Sequence, residues 1–150
     1  SYIITAVYNM EKVNKLNGDL VNVLKAIEST EGMPPAIARL TAMAKTEGAN
    51  FCYNAPTLIL VSNQKSLDNC MADSVCVLEN MMLAANSLGV GTCWLNIFTR
   101  MGENPGVKKI FTELGIPEDH MVCGCLAVGY PDGEIRGASP RKEGTVNVIS

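Results

Sequence analysis

The sequence predicts a single α/β domain in which helices pack against a sheet of buried strands. The chain has 150 residues and is 47% hydrophobic, which is enough for one real core. Apolar runs at 57–62 and 121–130 are typical of interior strands. Between them, apolar residues recur at helical spacing up to a capping glycine. No internal repeat or linker divides the chain, so residues 1–150 are treated as one domain.

The first half of the chain predicts two strands and two helices. Residues 2–7 form a strand-like run, and residues 10–27 have the apolar spacing of an amphipathic helix, which Gly18 weakens in its middle. Pro34 and Pro35 then start a second helix over 36–45. The dense apolar stretch TLILVS at 57–62 is expected to be a central strand of the sheet.

The stretch 68–96 is the unit around which the rest of the chain is organised. It predicts a long helix, a left-handed glycine cap at Gly89 and a short strand over 90–96 that contains Trp94. The helix has an apolar stripe through Met71, Val75 and Leu78, and its other faces are apolar too. We therefore expect it to be covered on most sides, partly by a second chain or a cofactor.

The last part of the chain predicts a loop, a helix and two strands. A loop is expected over 98–105, followed by a short helix that buries Val107, Ile110 and Phe111. The run MVCGCLAVGY at 121–130 is apolar on both faces, as in an interior strand. The closing residues 145–149, TVNVI, alternate like an edge strand, which would join either this chain's sheet or a partner's.

Composition excludes several classes of function. The net charge is -3 and there is no basic run, so nucleic acid is not expected as a partner. There is no signal peptide and no apolar run long enough to cross a bilayer, so no membrane partner is expected. The cysteines fall in predicted helix and strand interiors, which favours free thiols in a reducing cytoplasm over a disulfide framework. They are Cys52, Cys70, Cys76, Cys93, Cys123 and Cys125.

The sequence offers few side chains for catalysis. His120 is the single histidine, so a hydrolase triad is possible only through it, and no serine stands in a nucleophile-elbow context. His120, Cys123 and Cys125 form the one candidate zinc cluster, because a strand would place both cysteines on one face. A structural zinc site needs four ligands, however, and buried thiols on a packed strand are the more ordinary reading. We predict no metal site and no catalytic side chain.

Two features suggest a bound cofactor instead. Gly89, Val90 and Gly91 do not form a dinucleotide fingerprint, because here the helix precedes the glycines, but glycine pairs let a flat ligand approach the backbone. Arg141 and Lys142 stand in a polar tail and are either a phosphate clamp or plain surface charge. An enzyme without its own nucleophile, metal or acid-base pair takes its reactivity from a cofactor.

The residues 79–94, ENMMLAANSLGVGTCW, resemble the signature segment of the flavin-dependent nitroreductase family. Three other pieces agree with that family in order and spacing. They are NAP at 54–56 with the strand TLILVS, LGIP at 114–117 with VGYP at 128–131, and SPRK at 139–142 with the closing TVNVI.

The resemblance implies a three-layer sandwich with a mixed, mostly antiparallel sheet between helices. It also implies an FMN enzyme that works as an intertwined homodimer. Such an enzyme takes hydride from NADH or NADPH at flavin N5 and reduces nitroaromatics, quinones or similar small-molecule acceptors. Side chains over 36–43 and 98–101 would select the acceptor.

The resemblance also assigns cofactor-binding residues. By position in the family motif, the backbone around Leu95 and Asn96 would face the edge of the flavin ring. The turn from Gly89 through Val90 to Gly91 would allow its close approach. Arg141 with Lys142 would meet the phosphate, and Arg141 is the better ligand because a guanidinium binds phosphate through two hydrogen bonds.

One family feature is missing from the sequence. Family members carry an Arg-Ser-x-Arg segment that grips the phosphate and ribityl chain, and this sequence begins at a point just after it. The expectation is therefore an N-terminally truncated member. The alternative function is a catalytically silent nitroreductase-fold domain that binds or dimerises and has lost part of its flavin site.

Overall fold

The computed structural model describes residues 1–28, 30–134, 137, 139–145 and 147–149. Six elements agree with their predicted ranges to within two residues at each end, namely the first two strands, the first three helices and the last strand. The elements in chain order are β1 (Ile3–Tyr8), α1 (Met10–Lys25), α2 (Pro35–Ala44), β2 (Thr57–Gln64), α3 (Cys70–Ser87), β3 (Gly91–Trp94), α4 (Ile97–Arg100), α5 (Pro105–Glu113) and β4 (His120–Gly129).

The four strands form one sheet in the order β1-β2-β4-β3. Both strands predicted to be interior, β2 and β4, lie in the middle of this order. Each neighbouring pair among the described strands is antiparallel. Helices α1, α4 and α5 cover one face of the sheet and α3 covers the other, so the α/β class and the three-layer arrangement are confirmed.

A β-bulge interrupts the pairing of β2 with β4. Val61 lies opposite Gly124, whereas the next residue, Ser62, lies opposite Val122, so Cys123 is the extra residue on β4. A bulge breaks the strict alternation of side chains between the two faces. Cys123 and Gly124 consequently both face α3.

The bulge overturns one expectation from the sequence. The Cys123 thiol lies 3.7 Å from the Cys70 carbonyl oxygen, at the start of α3. Cys125 belongs to the core on the opposite face, together with Cys52. The prediction that Cys123 and Cys125 share a face of the strand is therefore wrong, because it assumed an uninterrupted strand.

The face covered by α1 and α5 holds the larger core. Helix α1 begins at Asn9, whose side chain accepts a hydrogen bond from the Glu11 N–H, and it buries one stripe of leucines and valines, among them Leu20 and Leu24. Helix α5 packs close to α1 because Gly106 has no side chain. A Cβ at that position would lie 2.6 Å from Val23 Cγ2.

Helix α3 buries only one narrow stripe, Cys70, Ser74 and Leu78. Its outer face leaves apolar side chains exposed, including Val75 and Leu83, of which Leu83 is 60% exposed. The single chain thus leaves the outer face of α3 uncovered, and the expectation that a second chain or a cofactor covers part of the helix stays a prediction. Of the predicted stripe, Leu78 is buried, whereas Met71 and Val75 are exposed. The helix approaches the sheet closely at Gly124, where a Cβ would lie 2.5 Å from Leu78 Cδ1.

Two further segments differ from the prediction. Residues 97–100 form the short helix α4 where a loop was expected, because Phe98 is fully buried and packs 6.4 Å from the ring of Phe111. The predicted strand 90–96 is shorter, since β3 ends at Trp94.

The described residues of the expected edge strand at 145–149 do not join this chain's sheet, and pairing with a partner's sheet stays a prediction. These residues, 145 and 147–149, lie outside any strand, with Val148 and Ile149 exposed, whereas Val146 lies outside the described residues. The reason is physical, since an isolated strand has no neighbour for its backbone groups and is not stable by itself.

Candidate functional site

A cavity of about 580 Å³ opens between α2 and the segment that follows β3. Trp94, Leu95, Asn96 and Ile97 line one side, and residues of α2 line the other. Cavities of this size with mainly apolar walls are typical of cofactor and substrate sites. The structure thus brings two of the seven predicted cofactor-binding residues, Leu95 and Asn96, into one cavity.

The backbone at these two residues is not equivalent. The Leu95 N–H donates a hydrogen bond of 2.8 Å to the Cys125 carbonyl oxygen, which extends the pairing of β3 with β4 by one residue. The Asn96 N–H makes no hydrogen bond within the described part of the chain, and its carbonyl accepts one from the Arg100 N–H as α4 begins. Asn96 therefore offers a free backbone donor at the cavity, whereas Leu95 does not.

The glycine turn has an explanation within the chain itself. Gly89 has φ +70° and completes the end of α3, where the Val90 N–H donates to the Ala85 carbonyl oxygen at 2.9 Å. A Cβ on Gly91 would lie 3.3 Å from the Gly129 carbonyl oxygen, so β4 leaves little room for a side chain there. Gly89, Val90 and Gly91 are not among the described residues that line the cavity.

Arg141 and Lys142 are exposed and lie outside the described helices and strands. In the described part of the chain, the cavity wall does not include them. The Lys142 carbonyl oxygen accepts a hydrogen bond from Thr145 Oγ1 at 3.2 Å. Their contact with a phosphate group stays a prediction.

The cavity carries positive charge that the sequence reasoning did not single out. Arg39 and Arg100 line it, and none of its described lining residues is a carboxylate. The segments 32–46 and 80–102 contain no aspartate or glutamate, although the whole chain has a net charge of -3. This local lack of acidic residues was readable in the sequence and favours anionic ligands.

The loop that lines the cavity beside α2 has an unusual backbone. Tyr53 and Asn54 are consecutive residues with φ +55°, in the left-handed region that costs most side chains energy. Asn50 Nδ2 donates a 2.6 Å hydrogen bond to Asn54 Oδ1 across the turn. Tyr53 is exposed at the cavity, so the strained turn presents an aromatic ring there.

The zinc and hydrolase alternatives find no support in the geometry. His120 Nδ1 lies 3.2 Å from Ser62 Oγ, but this serine is 1% exposed and cannot meet a substrate. Burial raises the pKa of the Cys125 thiol well above its usual value, which disfavours the thiolate that a metal needs. Among the described residues no three histidine, cysteine or acidic side chains come together as metal ligands.

None of the described helices combines the length and the apolar character that crossing a bilayer requires.

Comparison with known proteins gives consistent matches. Among solved structures, an FMN-bound nitroreductase from Bacteroides fragilis is 33% identical with a TM-score of 0.85, covering 99% of this chain and 76% of that one. An FMN-bound nitroreductase from Desulfitobacterium hafniense, at 18% identity and TM-score 0.72, shares the fold over 99% of this chain and 76% of its own.

Curated relatives match over a shorter range. A protein of Archaeoglobus fulgidus, named as a candidate NADH dehydrogenase/NAD(P)H nitroreductase, is 33% identical over 86 residues, which are 54% of this chain and 48% of the relative. The chain spans about half the length of the curated relatives that it matches. The model of the nitroreductase family matches residues 4–130. The resemblance is thereby confirmed, and the chain belongs to the nitroreductase family.

Proposed function

We propose that this protein is an FMN-dependent oxidoreductase that uses NADH or NADPH to reduce a small-molecule acceptor such as a nitroaromatic or a quinone. The observation that carries the proposal is the 33% identity to the FMN-bound Bacteroides fragilis nitroreductase over 99% of the chain. FMN supplies hydride transfer at its N5 atom, and the protein contributes binding and orientation. This division of labour is consistent with a cavity whose described lining residues include no serine, cysteine, histidine or carboxylate.

The described residues fit a flavin. The free Asn96 N–H is a donor for the edge of the ring, and Leu95 holds that donor in place through its bond to β4. The turn formed by Gly89, Val90 and Gly91 remains the proposed place at which the flavin approaches the backbone closely. Arg141 and Lys142 remain the proposed phosphate ligands.

A second copy of the chain is the proposed partner. The apolar outer face of α3, with Val75 and Leu83 exposed, supports a homodimer, because patches of this kind usually mark protein interfaces. All six cysteines are free thiols, which supports the cytoplasm as the proposed location.

The charge of the cavity refines the choice of acceptor. Arg39 and Arg100 favour acceptors that carry a carboxylate over neutral ones of the same shape. We compare kcat/KM for 4-nitrobenzoate, an anion, with kcat/KM for 4-nitrobenzamide, which is neutral. We expect Arg39→Gln to lower the ratio of the first to the second about fivefold, because a partly exposed charge pair contributes about 1 kcal/mol. An unchanged ratio would show that Arg39 does not discriminate between acceptors by their charge.

The decisive experiment measures FMN binding and NAD(P)H oxidation together. The purified chain is titrated with FMN by fluorescence quenching, and NADH and NADPH oxidation is followed with and without FMN. We expect saturable binding and oxidation that depends on FMN. If the chain neither binds FMN nor oxidises NAD(P)H, the proposal fails in favour of the silent binding or dimerisation domain.

A matched pair of variants tests the Asn96 backbone donor. Asn96 has φ -74°, which proline adopts, so Asn96→Pro removes the N–H at a backbone angle that suits proline. Asn96→Ala removes only the side chain. We expect Asn96→Pro to weaken FMN binding about fivefold, as for the loss of one hydrogen bond of about 1 kcal/mol, and Asn96→Ala to leave it unchanged. The reverse order of effects would assign the contact to the side-chain amide.

A further inference from the structure

A second cavity of about 350 Å³ lies near the first residue of β4 and has no part in the proposed function. Its walls come from the end of α4, from α5 and from the start of β4. His120, at this end of β4, is five residues from Cys125, which pairs with Leu95 at the first cavity. At about 3.3 Å per residue the two positions are roughly 16 Å apart along the strand. No described residue lines both cavities, so they are separate sites.

Two polar groups in the walls of this cavity have unused hydrogen-bonding capacity. His120 is 9% exposed and its Nδ1 is engaged by Ser62 Oγ at 3.2 Å, which leaves Nε2 without a protein partner in the described chain. Thr99 Oγ1 is the one buried side-chain oxygen or nitrogen of the described residues that makes no hydrogen bond. Groups like these normally pair with a water molecule or a ligand.

The charges around the cavity balance. Lys108 pairs with Glu103 at 2.6 Å, and Lys65 Nζ donates to the Glu118 carbonyl oxygen at 3.0 Å. Two lysines and two glutamates thus line the cavity, with no excess of either sign. A neutral ligand matches this wall better than an ion does, because an ion would disturb pairs that are already formed.

The remaining wall suits an aromatic ring. Phe111, Ile116 and Val122 are buried side chains that contribute an apolar surface next to His120. An apolar wall beside a few polar groups is the usual composition of a small-molecule site.

The histidine specifies the polar group of the ligand. Ser62 either donates to Nδ1 or accepts from it, so Nε2 is either a donor or an acceptor. A hydroxyl group can both donate and accept, so it satisfies Nε2 in either case. Rotation of Thr99 about its Cα–Cβ bond moves its hydroxyl between staggered positions and lets it complete the pair.

We propose that this cavity is a second binding site, distinct from the flavin cavity, for a neutral hydroxylated aromatic molecule of the phenol class held by His120 and Thr99. The phenol hydroxyl bonds His120 Nε2 and Thr99 Oγ1, and the ring lies against Phe111, Ile116 and Val122.

Proton NMR tests the proposal directly, because His120 is the only histidine and its ring Cε1–H signal needs no assignment. The protein is titrated with p-cresol, with 4-methylanisole, which has the same ring but no hydroxyl, and with p-toluate, which is an anion. We expect p-cresol to shift the signal saturably and to bind at least fivefold more tightly than the other two. No saturable shift, equal binding of 4-methylanisole, or tighter binding of p-toluate would each overturn the proposal.

Two valine variants separate the hydrogen bond from simple filling of space. Thr99→Val removes the unpaired hydroxyl, and we expect it to weaken p-cresol binding about fivefold. Thr112→Val is the matched control in the same wall, because Thr112 Oγ1 already donates to the Lys108 carbonyl oxygen at 3.1 Å. Equal p-cresol affinities in the two variants would refute the role of Thr99. If Thr99→Val does not fold, the three-ligand comparison on the unmodified chain still decides the matter.

Discussion

The two faces of the sheet are completed in different ways. On the face of α1 and α5, helices and strands of the chain close a large core that includes Leu20, Leu24 and Phe98, each fully buried. On the face of α3, the described residues form a buried hydrophobic cluster of only Val61, Leu78 and Leu126, and half-exposed side chains pack against it. The difference teaches that helices and strands of the chain close the core on one face, whereas on the other the chain leaves apolar side chains of α3 exposed.

The strongest test of this contrast truncates one leucine on each face. Leu20 and Leu78 are both fully buried. We expect Leu20→Ala to lower the free energy of unfolding by about 3 to 5 kcal/mol, because its rigid surroundings preserve the cavity. Leu78→Ala should cost about 2 to 3 kcal/mol, since half-exposed neighbours relax into the space. Denaturant unfolding at low protein concentration measures both, and equal losses would contradict the contrast.

A glycine pair tests how closely α3 approaches the sheet. A Cβ on Gly124 would lie 2.5 Å from Leu78 Cδ1 and 2.8 Å from Trp94 Cζ2. We expect Gly124→Ala to destabilise the fold by about 1 to 3 kcal/mol through overpacking, and to change the fluorescence of the single tryptophan. Gly18→Ala, in α1 with open space around it, should stabilise by about 0.5 to 1 kcal/mol. A Gly124→Ala variant as stable as the parent chain would mean that α3 can shift freely.

A charge on the outer face of α3 tests what that face is for. We expect Leu83→Asp to weaken self-association at least tenfold while the fold is retained, because an interface core disfavours a buried carboxylate. Sedimentation measures the association, and circular dichroism checks the fold. Asn22→Asp, on the exposed side of α1, is the matched control and should associate like the parent chain. A parent chain that stays monomeric would rule out α3 as a dimer surface.

The smallest effect concerns thiols in the closed core. Burial raises the pKa of the Cys52 thiol to about 11, and it raises that of Cys125 as well. A raised pKa means that the folded state keeps a proton that the unfolded state loses, so stability is full below about pH 9 and falls towards pH 11. The free energy of unfolding, measured from pH 9 to pH 11, should fall less steeply with pH in Cys52→Ala than in the parent chain. A slope identical to that of the parent would refute the link.

Elements with a clear local pattern could be predicted from the sequence. Helix α1 has its apolar stripe, β2 and β4 have dense apolar runs, and Gly89 ends α3, because periodicity and capping are properties of neighbouring residues. The bulge at Cys123 could not be predicted, since it depends on how β4 aligns with β2. Helix α4 was missed because the burial of Phe98 by distant residues stabilises it, and short helices carry little signal.

The candidate site was predictable only in part. The resemblance pointed to Leu95 and Asn96, which line the cavity, but the sequence could not show that of the two only the Asn96 N–H makes no hydrogen bond in the described chain. That distinction arises from the pairing of β3 with β4. Arg39 and Arg100 lie in the ranges 36–43 and 98–101 that the resemblance assigned to acceptor selection, but their charges were not singled out. The packing of α2 beside the end of β3 brings both to one cavity.

Helix α4 has a consequence for the two cavities that it separates. Ile97 and Arg100 line the larger one, whereas Thr99 lines the smaller one, and only four residues form the helix. A ligand in one cavity that displaces α4 therefore also changes the wall of the other cavity. Thermodynamic linkage then requires reciprocity: if a molecule in the small cavity alters the affinity of the large one, occupation of the large cavity alters the affinity of the small one by the same factor.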